Sequence, residues 1–264
     1  MKIAHEAPIA ILKQVQKVTH YEYVLVHLLD ESQEYKDHFY SKSKIPVNQL
    51  ILDNSIFELG HAFDWDKYAV HVQGLNPTRY ILPDVLGDKE DSIHNARVWM
   101  STYHDKFNRS PRNLLPMAVV QGQSMDELTE CYVAYYKNGI RNIAIGFNHD
   151  FFVKDSETRD WDQANGRIQF VKHLKETGVW KSDCYHHLLG CSLPIELGYR
   201  GYNDINSVDT SSPILHGLLG IKYDALGIYQ KKKIKMNDLI HSEVSDEQLQ
   251  IILDNIKTFR YITE

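Results

Sequence analysis

Cysteine is scarce in this chain of 264 residues, which contains only Cys131, Cys184 and Cys191. None of these residues forms a C-x-C or C-x-x-C pair, and their number is odd. A disulfide framework is therefore not expected. A reducing compartment is the simpler interpretation of so few thiols.

Long apolar runs, phosphate-binding motifs and a strong charge of one sign are also missing. No run approaches the roughly 18 apolar residues of a membrane span, and the first residues lack the layout of a signal peptide. We therefore expect a soluble, cytoplasmic protein with no membrane partner. No G-x-G-x-x-G or Walker-type loop occurs, so no nucleotide cofactor is implied. The net charge of -6 excludes a strongly basic nucleic-acid binder but allows an enzyme with a local basic groove.

What the sequence does contain is a regular alternation of apolar runs with helical patterns. The candidate strands are residues 23–29, 49–53, 80–84, 114–121, 142–146, 186–190, 207–209 and, more weakly, 224–229. Continuous apolar runs of this length are typical of strands buried on both faces. Eight such units without a linker predict a single (β/α)8 barrel domain over residues 1–264. A doubly wound open sheet is the alternative.

Helix boundaries between these strands carry local signals. Ser124 and Glu127 have the spacing of a capping box at the start of one helix, and Gly139 follows that helix as a C-terminal glycine. Ser245 and Gln248 repeat the capping pattern before the last helix. These signals predict one helix that starts at the capping box of Ser124 and a last helix that begins at Ser245.

Polar or small residues end most of the predicted strands, where the active sites of barrels are built. They are Asp53, Asp84, Gln121, Gly146, Gly190 and Asp209. Three carboxylates at one mouth repel one another, and a protein without a use for them has no reason to bear that cost. Simpler alternatives exist: Asp209 could cap the next helix, and Asp53 could close a turn with Asn54 and Ser55.

The same segments resemble, in their order and spacing, the guanine transglycosylases. These enzymes are (β/α)8 barrels that exchange a guanine in a nucleic acid for a 7-deazaguanine. The resemblance runs from about Asp53 to Pro213. It is carried by short motifs: Leu52-Asp53-Asn54-Ser55-Ile56-Phe57, Pro83-Asp84, Val119-Val120-Gln121-Gly122, Ile143-Ala144-Ile145-Gly146, Leu188-Leu189-Gly190, and Val208-Asp209 with Pro213.

The resemblance implies a catalytic role for two of these residues. Asp209 matches the nucleophile, which attacks the sugar C1′, expels guanine and forms a covalent glycosyl-enzyme intermediate. Asp53 matches the general acid/base, which helps guanine leave and takes a proton from the incoming base. No metal ion or other cofactor takes part in this expected mechanism.

The remaining motif residues match the substrate contacts of the family. Asp84 matches the acid that accepts hydrogen bonds from N1–H and the exocyclic amine of guanine. Gln121 and the backbone N–H at Gly146 match the contacts to the carbonyl side of the purine. Phe57 and Leu189 fall where the base is sandwiched, with Gly190 beside them.

Several departures from the family pattern point towards DNA. The tRNA-acting members carry a C-x-C-x-x-C zinc site with a later His, and this chain has no cysteine after Cys191. A zinc subdomain of that kind is therefore not expected. Ser55-Ile56 replaces a glycine pair, Pro213-Ile214-Leu215 replaces Pro-Thr-Arg, and Phe147 replaces an acid. A compact chain without zinc looks more like the phage-encoded members that place 7-deazaguanines into DNA in the host cytoplasm.

The expected partners are thus DNA, with tRNA as the alternative, and a free 7-deazaguanine base. The sequence leaves the oligomeric state open, as well as a partner protein that would supply nucleic-acid surface. Two further functions stay open: a hydrolytic glycosidase or nucleosidase that uses Asp53 and Asp209, and a catalytically silent barrel that binds nucleic acid.

Two charged or polar patterns have less specific interpretations. Lys231-Lys232-Lys233-Ile234-Lys235 is the one dense basic run, and it is either a solvated loop or a phosphate contact. His186-His187 and His149-Asp150 lack a complete metal-ligand set, so buried or exposed histidines are the expected interpretation.

Overall fold

The computed structural model describes residues 1–43, 49–109, 113–147, 149–232 and 234–263. A single sheet of eight strands has the order β1-β8-β7-β6-β5-β4-β3-β2, and its strands pair in parallel. The strands are β1 (Lys2–His5), β2 (Glu22–Leu25), β3 (Leu50–Asp53), β4 (Arg79–Ile81), β5 (Leu115–Val120), β6 (Asn142–Gly146), β7 (Tyr185–Leu189) and β8 (Ser207–Thr210). Helices alternate with these strands, so the predicted (β/α)8 barrel fold is confirmed.

The α-helices lie between or after the strands. They are α1 (Leu12–Val15), α2 (Val26–Glu31), α3 (Gln33–Ser43), α4 (Ile56–Leu59), α5 (Trp65–Leu75), α6 (Lys89–Thr102), α7 (Met125–Lys137), α8 (Arg159–Glu176), α9 (Ser212–Leu218) and α10 (Asp246–Thr263). Short 3-10 helices interrupt several of the loops.

Three of the predicted strands are wrong in position or length, and one of them, 80–84, ends already at Ile81. Residues 224–229 form no strand and contain only an isolated antiparallel bridge between Asp224 and Gly227. The eighth strand is instead β1, whose Ile3 lies beside Val208 of β8. The predicted strand 23–29 ends at Leu25, and the buried residues after it begin α2. A short buried apolar run does not by itself distinguish a strand from a helix.

The predicted helix caps are present. The Ser124 hydroxyl accepts a hydrogen bond from the Glu127 N–H at 3.2 Å, at the start of α7. Ser245 and Gln248 bond reciprocally before α10, at 3.2 Å and 3.0 Å. Gly139 has a φ of +82°, a left-handed conformation that suits the residue after a helix.

Packing divides the chain into two compact units. The first unit comprises Met1–His20, Ile145–Ser182 and His186–Glu264, and the second comprises Tyr21–Ala144 and Asp183–Tyr185. In the second unit, the buried core includes Tyr68, Tyr80 and Trp99. The Tyr68 hydroxyl satisfies the backbone carbonyls of Leu52 and Ile81 there, at 3.2 Å and 2.7 Å.

In the first unit, α10 packs closely against α9 at a glycine. A Cβ atom added to Gly217 would lie 2.4 Å from Ile252 Cγ1 and 2.8 Å from both Cα and N of Ile252. Two of these three atoms belong to the backbone of α10, so a side-chain rotation cannot relieve the overlap. The close approach buries Ile252, Ile256 and Phe259.

We predict that Gly217→Ala lowers the free energy of unfolding by about 1–3 kcal/mol, because α10 must move away from α9. Chemical denaturation followed by circular dichroism measures the change. Lys257→Ala on the exposed face of α10 is the control and is expected to change stability by less than about 0.5 kcal/mol. Equal stability of the wild type and Gly217→Ala would contradict the observed packing.

Candidate active site

Asp84 and Gln121 come together in the second unit, after the ends of β4 and β5. The Gln121 side-chain amide donates to Asp84 Oδ2 at 2.6 Å, and the Asn54 amide donates to Asp84 Oδ1 at 2.6 Å. The Gly87 N–H donates in turn to Gln121 Oε1 at 3.0 Å. These bonds hold the Asp84 carboxyl group between two amides.

The environment of Asp84 raises its pKa. The residue is only 2% exposed, and this burial raises the pKa of its carboxyl group to about 6. The hydrogen bonds from Asn54 and Gln121 oppose that rise because they stabilise the ionised form. Asp84 therefore changes its charge close to neutral pH.

Asp53 ends β3 in the second unit and is held by two donors. The Tyr23 hydroxyl donates to Asp53 Oδ2 at 2.5 Å, and the Ser55 N–H donates to Asp53 Oδ1 at 2.5 Å. Ser55 has a φ of 59°, a left-handed conformation that is unusual for a serine. Asp53 therefore closes a turn with Ser55, as the simpler interpretation predicts. The same turn gives the carboxylate a fixed orientation.

A small pocket lies beside Asp84 in the second unit. It is partly open to solvent and is lined by Asn54, Ile56, Ala62, Phe63, Tyr68, Pro83 and Asp84. The walls are mainly apolar, with the Asp84 carboxyl group among them. Phe57 does not line this pocket, and its side chain is 45% exposed instead of lying in the core.

Asp209 lies on β8 in the first unit and is only 3% exposed. Its Oδ1 atom accepts hydrogen bonds from His187 Nε2 at 2.9 Å and from the Gly190 N–H at 3.0 Å. Its Oδ2 atom accepts none from any residue that the structure describes. The carboxylate is thus oriented through one of its two oxygens.

Asp209 does not cap the helix that follows it, so that alternative is wrong. The first N–H of α9, at Ser212, donates to the Thr210 hydroxyl at 3.0 Å. Ser211, at the N-cap position, makes no side-chain capping bond. Asp209 therefore takes no part in capping α9.

His187 is a site residue that the sequence interpretation missed. Its side chain is fully buried, and its Nδ1 atom lies 2.8 Å from the Ser207 hydroxyl. Nε2 of His187 donates to the Asp209 carboxylate when the latter is ionised, and Nδ1 shares a hydrogen bond with the Ser207 hydroxyl. The two-residue period of a strand could have predicted this contact. Ser207 and Asp209 share one face of β8, and His187 lies beside Ser207 on β7.

A buried ion pair supports the glycines at the ends of β6 and β7. Arg167 of α8 donates to Glu196 from Nε at 2.7 Å and from Nη2 at 2.9 Å, and both side chains are fully buried. Its Nη1 atom donates to the carbonyls of Ile145 and Leu189, at 3.2 Å and 3.1 Å. Arg167 thereby holds the residues that immediately precede Gly146 and Gly190.

The predicted substrate contacts of the first unit lie on this support. Leu189 is half-buried, and its carbonyl also accepts from the Phe147 N–H at 3.1 Å. Gly146 is partly exposed, and Gly190 adopts a φ of +71°, which favours glycine. The structure therefore brings Leu189, Gly190 and Asp209 together and attaches them, through Arg167, to the end of β6.

The acidity of Asp84 is directly testable. We expect its carboxyl group to titrate near pH 6 in carbon-13 NMR, and Gln121→Ala to move this midpoint higher because a donor to the ionised form is lost. The folded state binds this proton more tightly than the unfolded chain, so the free energy of unfolding falls as the pH rises from about 3.8 to about 6. Gln123→Ala, at an exposed neighbour, is the control. A wild-type midpoint near 4 would contradict the observed burial.

The described residues contain no group of three or more His, Cys, Asp or Glu side chains placed to hold a metal ion. Among the helices of the same residues, none has the length and apolar character to cross a membrane. No protein-family model matches the chain, and no curated protein is detectably similar to it.

Proposed function

We propose that this protein is a base-exchange enzyme that replaces guanine in DNA with a 7-deazaguanine through a covalent glycosyl intermediate on Asp209. The observation that carries the proposal is the arrangement of that carboxylate. Asp209 is buried and oriented through Oδ1 by His187 and Gly190, and Oδ2 has no hydrogen-bond donor among the described residues. A carboxylate nucleophile needs such a fixed position and one free oxygen.

In the proposed reaction, Oδ2 of Asp209 forms a bond to the sugar C1′ while the bond from C1′ to guanine N9 breaks. The bonding pair leaves with guanine, which takes up a proton from the general acid. The resemblance to the transglycosylases assigns that acid to Asp53. In the second half, Asp53 removes the N9 proton of the incoming base, whose nitrogen displaces Asp209 from C1′. Two displacements retain the configuration at the sugar.

Base recognition in this proposal falls to Asp84 and Gln121. An ionised carboxylate accepts two hydrogen bonds from N1–H and the 2-amino group of guanine, a pattern that adenine does not offer. The pKa of about 6 for Asp84 supports this role, because the group is largely ionised at neutral pH although it is buried. In this proposal the flipped base lies against the Asp84 carboxyl group, next to the mainly apolar residues around it.

Exchange of labelled guanine into DNA tests the proposal directly. We expect radiolabelled guanine to enter DNA in the presence of the wild-type protein, and Asp209→Asn to lower that rate by at least about 1,000-fold because the nucleophile is lost. Duplex DNA, single-stranded DNA and tRNA are tested separately, and circular dichroism verifies that the variant is folded. Label that enters tRNA alone would assign the activity to RNA, and release of free base without any incorporation would indicate a hydrolase.

Variants of His187 test whether its hydrogen bond to Asp209 matters for the proposed reaction. We expect His187→Leu to lower kcat for exchange by on the order of 100-fold with little change in KM for guanine, because Asp209 loses its orientation. His187→Gln retains a side-chain N–H donor and should recover much of the rate.

Thermal melts of both His187 variants separate orientation from loss of folding. If His187→Gln and His187→Leu have equal stability and equally low rates, the hydrogen bond to Asp209 is not what the reaction requires. A larger change in KM than in kcat would place His187 in substrate binding instead.

A further inference from the structure

Hydrogen bonds and close packing hold the loop of residues 224–232, in the first unit, at several points along its length. Asp224 and Gly227 exchange two backbone hydrogen bonds, both at 3.1 Å. Gly227 packs so closely on Pro194 that an added Cβ would lie 2.1 Å from Pro194 Cγ. This turn therefore rests on the short helix Pro194–Gly198, which follows β7.

The second half of the loop is attached to two further helices. Trp161 Nε1 donates to the Tyr229 carbonyl at 2.8 Å, and the Lys231 N–H donates to Asp160 Oδ2 at 2.8 Å. Both partners lie in the first turn of α8. The Lys232 N–H donates to His216 Nε2, in α9, at 3.4 Å.

These anchors place the loop on the same side of the sheet as Asp209. In a (β/α)8 barrel, the first turn of a helix lies at the carboxyl end of the strand before it. The loop contacts the start of α8, the segment after β7 and the short helix α9, which follow β6, β7 and β8 in turn. Gly146, Gly190 and Asp209 lie at the carboxyl ends of these three strands.

The side chains of this loop are available to a partner. Tyr229 is 54% exposed, Lys232 is exposed and Lys231 is half-buried. Neither Lys231 nor Lys232 forms an ion pair with any residue that the structure describes. Lys233 lies outside the described residues. The chain as a whole is negative, with a net charge of -6, and Asp160 also lies against the loop, so the positive charge at this surface comes from Lys231 and Lys232 alone among residues 224–232.

The positive charge of Lys231 affects a residue beside the candidate site. Burial raises the pKa of the Cys191 thiol, directly after Gly190, and the positive charge of Lys231 acts against that rise. Burial also lowers the pKa of His216, and the charges of Lys231 and Lys232 lower it further. Lys231 thus acts on a residue near the end of β7, and both lysines act on His216 in α9.

We propose that Tyr229, Lys231 and Lys232 form the contact surface for the DNA strand that enters the Asp209 site, an inference that rests on the proposed base exchange. Tyr229 stacks on a base next to the exchanged nucleotide, and the two lysines bind phosphates. Single-stranded nucleic acid is bound by this combination of an aromatic platform and a basic track. The anchored backbone presents these side chains in an ordered position, which lowers the entropy cost of binding.

The test is binding of a fluorescent single-stranded DNA oligonucleotide, measured by anisotropy over a series of salt concentrations. We expect the double variant Lys231→Ser/Lys232→Ser to bind about 10-fold more weakly near 0.1 M salt, with a slope of log K against log[salt] that is shallower by about 1.4. We expect Tyr229→Ser to weaken binding about 10-fold with the slope unchanged, because stacking releases no counterions. Lys137→Ser/Lys257→Ser, at two exposed helix positions, is the matched control and should bind like the wild type.

Each outcome of this experiment decides the question. If the wild type binds DNA and the loop variants bind it equally well, the inference is wrong and the base-exchange proposal stands. If the wild type binds neither single-stranded nor duplex DNA, both are wrong. Loss of binding to tRNA but not to DNA in the loop variants would assign the surface to RNA and overturn the inference as stated.

Discussion

The guanidinium group of Arg167 is fully buried and makes hydrogen bonds to Glu196 and to two backbone carbonyls. An isolated charge in that position would be strongly destabilising, so the ion pair and the carbonyls must form together. One of the carbonyls belongs to Leu189, and the next residue, Gly190, donates its N–H to Asp209. The position of the candidate nucleophile therefore depends on a salt bridge that touches no substrate in the proposed reaction.

The carboxylates of Asp84 and Asp209 are both buried but have different partners. Asp84 receives only neutral amide donors, one on each oxygen, and its pKa rises to about 6. Asp209 receives an imidazole N–H and a backbone N–H, both on the same oxygen. The two carboxylates thus differ in where their donors lie. This difference matches the proposed roles of Asp84 in base recognition and of Asp209 as the nucleophile.

The sequence predicted those parts of the fold that depend on local signals. Strands that are apolar along their whole length and helices with capping residues lie where they were expected. β1 escaped prediction because Lys2–His5 is short and half of it is polar, and it becomes a strand only through pairing with β8. The carboxylates at the ends of the strands could also be located from local sequence signals. The Arg167–Glu196 pair could not, because its partners are 29 residues apart and no periodicity relates them.

The loop of residues 224–232 and helix α9 are joined by a histidine in a single tautomer. Nδ1–H of His216 donates to the Ser212 carbonyl at 2.7 Å, so Nε2 is free to accept the Lys232 N–H. Protonation of Nε2 would put two donors face to face and break this one contact between the loop and α9. Burial lowers the pKa of His216 and so favours the neutral ring, and the charges of Lys231 and Lys232 add to that effect. The same two lysines thus help to hold the loop in the position from which, in our proposal, they bind DNA.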